Sequence, residues 1–172
     1  VDTIDAVLVT HEHYDHVGGI DDLRPYSFVK TLPVYAEKFV IEHLLQRIPY
    51  CFGNNKYPGT PQLELKEIEA GKSFSVGSFD ILPIRVMHGK LPILGYRIGK
   101  MAFITDMKSI DDTQVALLKD LDLFIVNALH TKEHPTHQNL MQAINFAERV
   151  GAKDTWFVHM SHRVGLHDFV DA

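Results

Sequence analysis

The chain has 172 residues, 45% of them hydrophobic and 23% charged. That balance suits one domain with its own core and excludes disorder, collagen-like repeats and, since no apolar run approaches ~18 residues, a membrane-spanning helix. The formal charge of −5 offers no basic stripe for tracking a phosphate backbone, and a single cysteine, Cys51, with no leader sequence ahead of it, sets a reducing, cytoplasmic compartment as the expectation.

The chain opens on Val1 rather than Met, and residues 4–10 already read as a buried strand, so further residues are expected upstream. Asp21 or Asp22 is expected to cap a short turn that Pro25 stops. Residues 32–36 read as a strand, and 37–48 as a helix whose Phe39, Val40, Leu44, Leu45 and Ile48 share one face. Residues 50–61, broken by Gly53, Asn54, Asn55, Pro58, Gly59 and Pro61, form a loop long and aromatic enough to be a lid. A period of two then predicts strands around Leu63, Leu65 and Ile68, over 79–87 and over 93–98, with Gly77 and Gly99 at turns. Residues 101–105, 121–129 and 155–159 read as further strands, and 111–119 and 138–150 as helices. Strands in the middle with helices interspersed at both ends give a layered α/β arrangement.

Eleven histidines make a metal site the first thing to seek, because imidazole is the commonest metal ligand. His11, Glu12, His13, Tyr14, Asp15 and His16 leave the first strand, and Gly18 and Gly19 just beyond allow a tight turn. Residues two apart on extended chain point to one side, so His11 and His13 can hold one ion while Asp15 and His16, past the bend, face a neighbouring position. A solvated polar loop is the alternative, and four ligand-type side chains in six residues weigh against it. His88, Asp106 and His159 each stand where a strand gives way to a loop. Singly they read as structural histidines or a turn-capping aspartate. As a set they bring the candidate ligands to seven, too many for one tetrahedral ion and suitable for two if Asp106 bridges. The resulting assignment is His11, His13, His88 and Asp106 on one ion, and Asp15, His16, His159 and Asp106 on the other.

This HxHxDH segment with its later His, Asp and His resembles the metallo-β-lactamase superfamily, which implies a four-layer αββα sandwich with a dinuclear metal cleft. HEHYDHVGGIDDLRP, MHGKLPILGYRI, ITDM, HPTH and VHMSH resemble more narrowly its phosphodiesterase branch, which includes the cyclic phosphodiesterase of phosphonate catabolism and, more distantly, the tRNA 3′-processing endonucleases. Members of that branch carry strands before the motif, so residues 1–172 are expected to form a single metallo-hydrolase domain, N-terminally truncated, whose sheet needs upstream residues or a partner to cover it.

Two divalent cations, zinc or manganese, with a hydroxide between them make a nucleophile from water at neutral pH. Their charge against Asp15 and Asp106 leaves a positive excess that suits an anionic substrate, and the acidic chain favours a small or cyclic nucleotide-like phosphodiester over long nucleic acid. A homo-oligomer stays open. The leaving alkoxide needs a proton from outside the ligand set. The resemblance implies His137 for that role, because HPTH is where the branch carries its non-ligand catalytic histidine; from its neighbours alone, His137 is a helix-start residue. His134 and His130 are either supporting or surface residues, and His162 either orients a ligand or lies exposed in a turn. His43 and His167 read as surface histidines, Cys51 as a small buried or loop residue, and Glu12 and Tyr14 as facing core or solvent. Two other readings stand beside the phosphodiesterase: hydrolysis of a carbonyl compound such as a thioester or lactam on the same metals, and a non-catalytic, metal-stabilised module.

Overall fold

In the computed structural model, which describes residues 3–52, 57 and 59–164, the chain divides into two units, Val1–Ser78 and Phe79–Ala172. Each has its own apolar core. Gly53, Asn54, Asn55 and Pro58 of the expected lid, and His167, lie outside the described residues.

In the first unit, β1 (Val7–Leu8), β2 (Leu32–Ala36) and β3 (Leu63–Glu67) pair in parallel in that order. Strand β2 shows the period of two directly: Leu32, Val34 and Ala36 are buried while Pro33 and Tyr35 are half-buried. The first strand is shorter than the 4–10 run expected. Its pairing ends where Val9 N–H donates to Tyr35 O at 2.9 Å, because the chain then departs into the histidine segment. Helix α1 (Tyr14–Val17) follows, then a 3-10 turn over Gly18–Leu23 and helix α2 (Arg24–Ser27). Pro25 does not stop a turn capped by Asp21 or Asp22. It lies in the first turn of α2, where a missing N–H costs no bond, and Asp21 is taken up by the Arg24 guanidinium.

Helix α3 (Lys38–Arg47) packs Val40 and Leu44 into the core. Phe39 and Leu45, expected on the same face, are 50% and 42% exposed; the Phe39 ring meets His43 one turn on, at 4.3 Å between centroids. Strand β4 (Phe74–Val76) was not expected, being too short to show a period, and its Phe74 ring stacks on Tyr35 at 4.5 Å.

In the second unit β5 (Phe79–His88), β6 (Leu91–Ile98) and β7 (Met101–Ile104) are antiparallel, while β7, β8 (Leu123–Asn127) and β9 (Asp154–Val158) are parallel. Parallel neighbours need crossovers, and these contain α4 (Asp112–Val115) and α5 (Leu140–Val150). The helix expected over 111–119 is divided: Asp111 caps α4 by accepting from Thr113 N–H, and a 3-10 turn over Ala116–Leu118 completes it. The α5 start falls two residues later than expected, because Asn139 and Gln142 form a reciprocal capping box. Ile84, Val86, Ile104, Phe124, Val126 and Phe146 make the centre of the core, with the Phe124 and Phe146 rings edge to face at 5.7 Å. The carboxyl ends of β7, β8 and β9 lie along one edge of the sheet, where α/β proteins place their ligands.

Gly95 marks the closest approach of β6 and β7. A Cβ there would come 2.7 Å from Ile104 Cγ1 and 3.0 Å from Phe103 O. Gly95→Ala is therefore expected to destabilise the protein by about 1–3 kcal/mol, read as a lower urea midpoint with an unchanged slope; an unchanged midpoint would show that the strands can part without cost.

Candidate metal centre

The first unit supplies a tight group of donors from one short segment. His11 lies 1% exposed, with its Nδ1 3.0 Å from Thr10 Oγ1. The tautomer that carries its proton on Nδ1 would donate to this hydroxyl and leave the Nε2 lone pair for a cation. That Nε2 lies 3.1 Å from His13 Nδ1, close to the ~3.3 Å between two nitrogens on one tetrahedral ion. The bend at α1 then brings the His16 ring to 4.3 Å from that of His11 and His16 Nε2 to 3.3 Å from Asp15 Oδ2. Glu12 turns into the buried side and Tyr14 into solvent, because the extended run ends at His13 and Tyr14 already begins α1.

The second unit builds its donors at strand ends. His88 is the last residue of β5, and its Nδ1 donates to the carbonyls of Asp106 at 2.8 Å and Thr136 at 3.0 Å. Carbonyl acceptors at Nδ1 place the ring lone pair on Nε2, the arrangement of a second-sphere-oriented ligand. Asp106 follows β7 at φ 56°, a left-handed conformation that costs a non-glycine residue about 1–3 kcal/mol. Its carboxylate accepts from Thr105 Oγ1 at 2.7 Å, while His137 Nε2 lies 3.1 Å from Oδ2 and His159 Nε2 3.3 Å from Oδ1. His159 follows β9 and is also left-handed, at φ 54°. Donor atoms of the buried His88, Asp106 and His137 all lie within 4.8 Å of one another, so His137 stands within ligand range as well as within proton-transfer range.

The remaining histidines sort by contact. His134 Nδ1 is 3.1 Å from His137 Nδ1, and the Thr136 hydroxyl is within 3.3 Å of both rings, so His134 supports His137; His130 lies one ring further out. His162 is exposed in a turn, and Cys51 is fully buried. Two positioning residues escaped the sequence reading. Thr105 orients the Asp106 carboxylate, and Asn127, fully buried at the end of β8, accepts from Met107 N–H at 2.8 Å and donates to Met107 O at 3.0 Å. The only signal for Asn127 was an amide ending an otherwise apolar strand.

A family model for the beta-lactamase superfamily domain matches residues 1–160. The octanoyltransferase of Porphyromonas gingivalis is 47% identical over 168 residues, which are 97% of this chain and 34% of that protein. Exodeoxyribonuclease WalJ of Streptococcus pneumoniae is 29% identical over 136 residues, covering 76% of this chain and 46% of the nuclease. A solved structure of a new diphosphatase from the PhnP family superposes with a TM-score of 0.89 at 33% identity, over 98% of this chain and 65% of its own. The chain thus spans between about a third and about a half of the length of these curated relatives.

The donor set in each unit fits a divalent cation: His11, His13, Asp15 and His16 in the first, and His88, whose Nδ1 donates to carbonyls, with Asp106 and His159 in the second. Burial pushes the His88 imidazole below the usual histidine range, and its bond to the Thr136 carbonyl offsets this only in part. Burial, then the neighbouring His137, lowers His134 in the same direction. A depressed histidine adds nothing to stability while both states are neutral. As pH falls through ~6.5, the unfolded chain takes up a proton that folded His88 refuses, and stability falls until the folded pKa is passed. Metal-free protein is expected to lose denaturation midpoint between pH 7 and pH 5, with a shallower loss in His88→Gln; identical slopes in the two proteins would remove His88 as the cause.

Proposed function

The chain belongs to the metallo-β-lactamase superfamily and has its α/β fold, and from that premise we propose that it is a dinuclear metal-dependent hydrolase of phosphodiester bonds in a small, nucleotide-like substrate. His11, His13, His88 and Asp106 would hold one ion and Asp15, His16, His159 and Asp106 the other, zinc or manganese. The observation that carries the reading is the buried Asp106 carboxylate, with the proposed ligand His159 beside one oxygen and the proposed proton donor His137 beside the other.

The two cations, when bound, supply Lewis acidity that yields a water-derived nucleophile at neutral pH and offsets charge on the phosphoryl oxygens. The protein's own residues then do three things. Asp106 keeps both oxygens aimed through Thr105 and its left-handed backbone. His137 holds a proton at Nε2, at the buried carboxylate, and gives it to the departing alkoxide as general acid. Thr136 and His134 fix the other face of that ring.

Among the relatives, an exodeoxyribonuclease and a diphosphatase are named for phosphorus–oxygen bonds, which supports the phosphodiester. The 47% identical octanoyltransferase favours a second reading, acyl or thioester hydrolysis on the same donors, although this chain matches only 34% of that protein.

His137→Ala is expected to lower kcat on a phosphodiester by about 100-fold or more while metal analysis still finds two equivalents per chain. Loss of an equivalent together with turnover would make His137 a ligand instead of the acid. Assayed side by side after zinc or manganese loading, bis(p-nitrophenyl) phosphate is expected to be cleaved and an octanoyl thioester left intact; the reverse would establish the acyl reading.

A further inference from the structure

A cavity of about 330 Å³ in the first unit is lined by none of the proposed cation ligands. Tyr14, Asp21, Asp22, Leu44, Arg47 and Tyr50 are among its lining residues. It is built around the histidine segment. Tyr14 stands between His13 and Asp15 at the start of α1. One turn on, a Cβ at Gly18 would come 3.0 Å from the Tyr14 ring, so the glycine lets that ring lie over bare backbone and form a flat wall. Arg47, at the end of α3, donates to Glu12 O at 2.6 Å and ties the far side of the cavity to the same segment. Tyr50 enters from the 3-10 turn over Pro49–Cys51, and buried Leu44 makes an apolar floor.

We infer that this cavity receives the nucleobase of the substrate, with Tyr14 and Tyr50 offering ring faces for stacking and Asp22 accepting from the N–H groups of an amino-bearing base. The inference rests on the phosphodiesterase reading and extends it to a substrate class. Its volume lies at the small end of ligand pockets, enough for one planar ring system. Its charges argue against the other candidates. Asp21 is already held by the Arg24 guanidinium and Arg47 is committed to a backbone carbonyl, which leaves the exposed Asp22 carboxylate to set the charge of the lining and to disfavour a phosphate group. An acyl chain would have to desolvate two carboxylates for no hydrogen bond in return. A neutral heteroaromatic base with N–H donors satisfies both features, since stacking on aromatic side chains is tolerant of base identity and a carboxylate accepts from adjacent N–H groups. Tyr14 is flanked in sequence by the proposed ligands His13 and Asp15, so the cavity and the histidine segment share one stretch of chain.

The test uses the full chain without metal, so that binding is read apart from turnover. Guanosine 5′-monophosphate and ribose 5-phosphate are titrated by calorimetry. The nucleotide is expected to bind at least tenfold tighter than the base-free phosphate, and Tyr50→Ala and Asp22→Asn, both at exposed side chains, each to lower its affinity about tenfold with wild-type thermal midpoints. Gly18→Ala, which crowds the Tyr14 wall, is expected to act in the same direction. Equal affinity for the two phosphates, or wild-type nucleotide affinity in both Tyr50→Ala and Asp22→Asn, would overturn the subsite. Nucleotide binding through these residues in a protein that, once metal-loaded, cleaves no phosphodiester would uphold the subsite and overturn the hydrolytic reading instead.

Discussion

A buried carboxylate held in a strained backbone conformation organises the second unit. Asp106 is left-handed and 2% exposed, and such a residue persists only where its surroundings over-determine it. Here they do. The Asp106 carbonyl accepts from His88, Met107 is bonded at both N–H and C=O by Asn127 and again at C=O by Gln138 N–H, and Lys108 and Ser109 N–H both donate to Met87 O. Four consecutive residues, Asp106 to Ser109, are therefore pinned to β5, to β8 or to the approach to α5.

In each unit one imidazole has a hydrogen-bond partner behind its Nδ1. Thr10 stands behind His11, and two carbonyls stand behind His88. The carbonyls fix which His88 nitrogen carries the proton and leave the other with its lone pair outward. Burial of His88 disfavours the charged form, and a neutral imidazole is the form that binds a cation. Among the described residues no helix is long and apolar enough to cross a membrane, and the two apolar cores instead serve as rigid backing for these polar strand ends.

The clustering of the His11–His16 side chains was legible because its geometry is local: His11 and His13 are neighbours along extended chain, and the first turn of α1 brings in Asp15 and His16. His88, Asp106 and His159 were legible only as polar residues ending apolar strands, and each was ambiguous alone. Asn127 and Thr105 were illegible for a different reason. Their work depends on the register that sets Ile104 against Val126, a long-range pairing that no window of sequence carries. Pro25 was misread because proline stops a helix in its interior but is at home in its first turn. The cavity likewise joins Tyr14 to Tyr50 through a turn and a helix whose exit direction the apolar pattern of α3 did not specify.

The central claim is that a pair of cations shares Asp106. Anomalous difference maps from crystals of manganese- or zinc-loaded protein address it directly. Two peaks are predicted, one bonded to His11, His13, His88 and Asp106, the other to Asp15, His16, His159 and Asp106. A single peak, or peaks that leave the Asp106 carboxylate uncoordinated, would contradict it.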